Sequence, residues 1–196
     1  WDRPCTIGEF NSHYIGGVAH ELGHALSLLH VKEKASERHL GNALMGRGNH
    51  TYGRDLRTNQ TGTFLTKSSA MLLSTRRSFA GDLKNASDPK PECKFTNWRE
   101  KFDDGVVTFS GKIESDVPAY GIVAYHDDKA IQSDYDAVGW TCDVKDDGTF
   151  ELKVGEFTPG EKELRFRVYH ESGHFSRFQY TYMVDEQGLP DRFSAN

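Results

Sequence analysis

Two periods of hydrophobicity divide the chain. Val18, Leu22, Ala25, Leu26 and Leu29 recur at three- and four-residue spacings, which predicts a helix over 17–29 with those residues as its core stripe. A second helix is expected over 67–78, capped by Thr66, with Ala70, Met71, Leu73 and Phe79 as its apolar positions. Arg76 and Arg77 in its last turn suit the helix dipole. Farther on, the period becomes two. Val107, Phe109, Gly111 and Ile113 alternate with polar residues; so do Tyr120, Ile122 and Ala124, then Phe150, Leu152 and Val154. Leu164, Phe166 and Val168 follow, and Phe178, Tyr180, Tyr182 and Val184 close the series. Asp103-Asp104-Gly105, Asp127-Asp128, Asp146-Asp147-Gly148, Pro159-Gly160 and Ser172-Gly173 supply turns between these runs. Short alternating strands spaced by turns read as an antiparallel, immunoglobulin-like β-sandwich over 99–186.

The remaining segments are polar. Residues 1–15 read as loop, 31–41 as a charged loop or short solvated helix, and 47–63 as an exposed loop around the small apolar island 42–46. Pro89 and Pro91, among polar neighbours, mark a linker over 85–98, and 187–196 reads as a tail. The expected fold class is therefore α+β, with a helical part over 1–84 followed by the sandwich.

Composition narrows the function classes. A net charge of -5 on 196 residues argues against a nucleic-acid partner, which would ask for a basic surface. No apolar run reaches the roughly 18 residues a membrane span needs. The chain opens Trp1-Asp2-Arg3-Pro4-Cys5 without an initiator Met, so it is expected to be a piece of a longer precursor, and the lack of a signal peptide says little about export. Its three cysteines allow one disulfide and a thiol, or three thiols.

The chemistry concentrates in His20-Glu21-Leu22-Gly23-His24-Ala25-Leu26-Ser27-Leu28-Leu29-His30. Positions four apart on a helix lie within about 40° of each other around the axis, so His20 and His24 share a face one turn apart and can hold one metal ion. Glu21 can point toward a water on that metal. His30 is too far along for a straight helix, so the chain must turn before it. Three nitrogen ligands with one open position are the arrangement of a catalytic zinc.

This stretch resembles the metzincin metallopeptidase signature, H-E-x-x-H-x-x-G-x-x-H. Ala43-Leu44-Met45-Gly46 resembles the methionine turn that the family places beneath the metal, and the 67–78 helix resembles its C-terminal helix. The resemblance covers about residues 16–80. It implies His20, His24 and His30 as Zn2+ ligands, Glu21 as general base and Met45 as the floor of the site. It implies a zinc endopeptidase acting on a protein or peptide substrate, in a secreted or extracellular setting. In the implied reaction zinc lowers the pKa of water toward about 7, and Glu21 takes its proton during attack on a peptide carbonyl.

Two departures stand out. Ser27 occupies the position of the family's glycine, where positive φ or close backbone approach is wanted. The family also has a twisted sheet before the signature helix, for which some fifteen residues leave no room. This chain would be the lower half of a cleft, with an upstream fragment of the same precursor as a candidate partner and the sandwich as an accessory module. The alternative reading is a non-catalytic metal-binding adhesion fragment, or one that binds carbohydrate or protein.

Other chemistry-bearing residues have simpler readings. His13, His39, His50 and His126 read as surface residues, and Tyr52 as a weak candidate for a place near the metal. His170-Glu171-Ser172-Gly173-His174 straddles two strands and reads as hairpin chemistry. The acidic doublets offer carboxylates for calcium, although turn formation explains them more cheaply. Arg165 and Arg167 read as a solvated strand face. Cys5 and Cys93 flank the metallopeptidase-like part, so a bond between them would staple its ends, and Cys142 beside Trp140 would be a buried thiol.

Overall fold

A computed structural model of the chain describes residues 4–10, 14–54, 58–76, 79, 90–130, 134–191 and 194–195. Helices α1 (Ile7–Phe10), α2 (Gly16–Ala25) and α3 (Lys67–Ser74) belong to the first part, with two short parallel strands, β1 (Asn42–Ala43) and β2 (Thr63–Phe64). The rest is strand: β3 (Cys93–Asp103), β4 (Val106–Ser115), β5 (Ala119–Asp128), β6 (Val138–Asp143), β7 (Thr149–Val154), β8 (Gly160–His170), β9 (Phe175–Val184) and β10 (Ser194–Ala195). They form a five-stranded antiparallel sheet ordered β10-β9-β8-β5-β6 and a three-stranded antiparallel sheet ordered β3-β4-β7.

The two sheets share one core. Val107, Phe109, Phe150, Leu152 and Val154 of the smaller sheet meet Ile122, Ala124, Leu164, Phe166 and Val168 of the larger one. These are the alternating residues of the sequence pattern, which is how a period of two builds a buried face. The opposite face of the larger sheet is covered as well. Val123, Tyr125 and Tyr169 join Leu28, Val31, Met45 and Leu72 of the helical part in a second core. That double cover explains why β5 is buried at nearly every position instead of at every other one. At Gly139 a Cβ would collide with the Ser68 hydroxyl, so the absence of a side chain there lets α3 lie close on β6.

Several expectations are corrected. The first helix ends at Ala25, and its expected stripe is not its core: Val18 and Leu22 are 69% and 58% exposed, while Gly16, His20 and Gly23 are buried. In α3 the Thr66 hydroxyl accepts from the Ser69 amide as foreseen, but Ser68, Ser69 and Leu72 are the buried residues and Ala70 is exposed. Ser68 and Thr66 satisfy each other by a hydroxyl hydrogen bond of 2.9 Å, which lets polar residues take that face. Arg77 lies outside the described residues. The expected exposed loop 47–63 includes buried Gly48 and Thr51, and Gly48–His50 is a 3₁₀ turn whose Asn49 carbonyl would collide with a Cβ on Gly16 of α2. Strand pairing begins at Cys93, inside the expected linker, and Ser194–Ala195 of the expected tail pairs with β9.

Charged groups differ from expectation too. Asp127 and Asp128 are not turn residues but the end of β5, paired with Arg165 (2.9 Å) and with the buried Lys162. Those cations occupy the carboxylates that this doublet would offer a calcium ion. Arg167 is no solvated side chain: its guanidinium lies over Phe175 (4.6 Å) and Tyr125 (5.7 Å). His170 is buried in the hairpin and meets Ser176 at 3.1 Å, and the Gly173 amide donates to the His170 carbonyl, as the hairpin reading asked. No disulfide joins Cys5, Cys93 and Cys142, and burial pushes the Cys142 thiol up to about 12.

His126 is buried, not on the surface. Its ring lies 5.1 Å from that of Phe157 and 5.9 Å from that of Tyr182, and its Nε2 has no hydrogen-bond partner among the described residues. Burial first, and the Lys162 charge second, push its pKa from 6.5 down to about 4. The unfolded chain therefore takes up this proton before the folded one does. The stability His126 confers is complete above about pH 6.5 and is lost as pH falls toward 4. We expect this group to remove about 2 kcal/mol of unfolding free energy between pH 7 and pH 5. Urea titrations in chelator should show that difference shrinking by this amount in His126→Leu; an unchanged pH dependence would refute the assignment.

Candidate metal centre

Helix α2 carries His20 and His24 on its inner side, and the chain then reverses. The Ser27 amide donates to the His24 carbonyl (2.8 Å) and the Leu28 amide to the Gly23 carbonyl (2.9 Å), a two-bond helix stop with its residue of positive φ at Ser27 (φ 68). A serine adopts that conformation at a cost of about 1–2 kcal/mol relative to ordinary backbone, so the turn forms without a glycine. The reversal brings His30 back to the other two imidazoles.

The three Nε2 atoms then converge: His20 to His24 is 3.1 Å, His24 to His30 is 3.0 Å, and His20 to His30 is 3.3 Å. A metal bound tetrahedrally about 2.0–2.1 Å from each nitrogen would separate them by about 3.3 Å. The tautomers point the same way. His20 Nδ1 lies 2.7 Å from the Leu44 carbonyl and His24 Nδ1 lies 3.1 Å from the Leu28 carbonyl. A carbonyl only accepts, so both Nδ1 atoms carry the hydrogen, and in the neutral imidazoles both Nε2 atoms then present lone pairs. Two lone pairs facing each other at 3.1 Å repel unless a cation lies against both. The residues therefore fit a metal ion, and the backbone carbonyls that fix the ring orientations are its supporting shell.

Met45 packs against α2. It is 1% exposed, and a Cβ on Gly23 would collide with its sulfur, so the thioether lies directly against the helix between His20 and His24. The Gly46 amide donates to the Ala43 carbonyl (3.0 Å), closing a tight turn, while the Val31 amide donates to the Met45 carbonyl (3.2 Å). The same short segment thus packs under the helix and orients His20 through Leu44. Glu21, next to His20, is exposed. Tyr52 packs at the start of α2 against Gly16.

The aromatic that reaches the histidines was not foreseen. Tyr135, in the 3₁₀ turn Asp134–Asp136 between β5 and β6, stacks on the His30 ring with centroids 3.8 Å apart and planes 25° apart. It is also nearly parallel to the His20 ring, at 6.1 Å and 8°. Nothing in the local sequence pattern links it to His30, because the two meet only when the sandwich folds onto the helical part. Tyr135 and Asp136 also border an open cavity of about 400 Å³ with Gly46, Arg47, Asn49 and His50.

No protein-family model matches the chain, and no curated protein does. Solved structures do. Wild-type OgpA from Akkermansia muciniphila is 27% identical with a TM-score of 0.81 in one crystal form and 0.75 in another. A catalytically inactive OgpA in complex with an O-glycopeptide substrate, glycodrosocin, is likewise 27% identical with a TM-score of 0.80. The alignments cover 94%, 92% and 94% of this chain but only 53%, 51% and 53% of those chains, in the same order. The chain thus spans about half the length of an enzyme that acts on O-glycopeptides, and both its helical part and its sandwich fall within the shared half.

Proposed function

We propose that this chain is the zinc-holding half of a metzincin-type endopeptidase, with residues 1–84 as the catalytic part, 85–98 leading into the sandwich and an immunoglobulin-like sandwich over 99–186. The observation that carries this is the meeting of three Nε2 atoms within 3.3 Å of one another, with the Nδ1 atoms of His20 and His24 against backbone carbonyls. Three imidazoles and no fourth protein ligand among the described residues suit a catalytic zinc better than a closed structural one. When bound, the zinc supplies Lewis acidity that polarises a carbonyl and makes water a nucleophile near neutral pH. Glu21 accepts the proton of the attacking water and passes it to the leaving amine. Met45 and the Leu44 and Leu28 carbonyls hold the imidazoles in place throughout.

The substrate class is a peptide, and the likeness to OgpA points to one bearing O-glycans. A secreted location goes with that substrate. A second polypeptide segment, the upstream part of the same precursor, completes the cleft. The exposed apolar side chains of Ile7, Phe10, Ile15, Val18 and Leu22, all on α1, α2 and their approach, support such a cover. No helix among the described residues is long and apolar enough to cross a membrane.

The test is hydrolysis of an O-glycosylated peptide and of its unglycosylated counterpart by the full-length protein, followed by mass spectrometry. Peptide-bond cleavage of the glycosylated form, abolished by chelator and restored by zinc, is expected. Cleavage indifferent to chelation, or none at all, would contradict the proposal.

A further inference from the structure

We infer that Tyr135 is a positioning residue of the metal centre, so that the sandwich supplies part of that centre instead of accompanying it. The inference rests on reading the three histidines as a metal site. An imidazole donates well to a metal only when its plane contains the nitrogen–metal direction, so rotation of the ring about its own axis weakens the bond. A flat aromatic ring 3.8 Å away and 25° from parallel opposes that rotation at His30. His24 meets both other imidazoles edge-on, at 83° and 86°, while the His20 and His30 planes are 31° apart and Tyr135 lies within 25° of both. The centres of His20, His30 and Tyr135 form a triangle of 5.3, 3.8 and 6.1 Å with Tyr135 face-on to His30, and Tyr135 is 39% exposed.

The backbone shows why Tyr135 is held there. The Lys32 amide, two residues after His30, donates to the Ala137 carbonyl (2.8 Å), and Lys32 forms a parallel β-bridge with Val138. The Lys32 ammonium and the Asp136 carboxylate meet at 3.5 Å. Ala137 and Val138 are buried. The chain that leaves the third histidine and the chain that carries Tyr135 into β6 are therefore stitched side by side, with His30 two residues and Tyr135 three residues before the bridge. Folding of the sandwich and placement of His30 are linked through this seam.

Zinc affinity, measured by chelator competition on the intact chain, tests this with Tyr135→Ala and Tyr135→Phe, alongside thermal unfolding of each in excess chelator. Tyr135→Ala should bind zinc roughly tenfold more weakly, within the range seen when support of a metal ligand is removed. Tyr135→Phe, which keeps the ring, should bind within about twofold of wild type, and the metal-free unfolding temperatures should agree. Wild-type affinity in Tyr135→Ala would overturn the inference. So would an equal loss in both variants, or a metal-free protein destabilised as much as the zinc-bound one, which would make the residue merely structural. A wild-type chain that binds no zinc would instead sink the metal reading on which all of this stands.

Discussion

Glu21→Gln in the full-length protein should keep its metal and lose hydrolysis, with kcat/KM falling by about 10²–10⁴. Glutamine preserves the size and the hydrogen-bonding reach of the side chain but cannot take up a proton near neutral pH. The geometry separates the two roles. His20, buried, brings its Nε2 to those of His24 and His30, while Glu21 beside it is exposed. No nitrogen of the triad is bonded to Glu21, so the ligand set loses nothing by the change. Metal content and steady-state kinetics on the same preparation decide the matter. Wild-type turnover would remove Glu21 from the mechanism, and loss of metal would make it a structural partner of the site.

Met45→Ala should have the largest effect on stability, lowering the unfolding free energy by about 2–5 kcal/mol. The side chain is almost fully buried, among Leu28, Val31 and Leu72, and its sulfur takes the space that Gly23 leaves open. Truncation leaves a cavity under the helix that presents His20 and His24, and the neighbouring sheet, packed on its other face as well, has little freedom to collapse into it. Met45→Leu, of similar volume, should cost less than about 1.5 kcal/mol. Urea unfolding of both variants in chelator measures this without any contribution from the metal. A small loss in Met45→Ala would mean that the turn, not the thioether, is what the helix needs.

How much of this was legible in the sequence depends on the range of the interactions. His20, His24 and His30 were readable because helix geometry and one reversal place them, and all three lie within eleven residues. The reversal itself went against the most economical residue choice, since Ser27 takes a positive φ that glycine adopts freely. The apolar pattern of α2 said which side chains were greasy, not which face the remainder of the chain would cover. Here the core takes the side with Gly23, because only that side lets Met45 approach. The β3 strand escaped notice because its side chains are largely exposed and the Thr96-to-Arg99 irregularity, with Asn97 at positive φ, breaks its alternation. His126 and Arg167 are polar by type yet lie against aromatic rings, a tertiary fact with no local signature. Tyr135 is the plainest case: its importance exists only across the seam between the two parts.

Anomalous diffraction at the zinc absorption edge, from crystals of the chain grown with zinc, tests the central claim most directly. The account predicts a single strong peak about 2.0–2.1 Å from the Nε2 atoms of His20, His24 and His30, with its remaining coordination position free of protein ligands. A peak bound elsewhere, a fourth protein ligand closing the site, or a zinc-free triad at saturating zinc would contradict it.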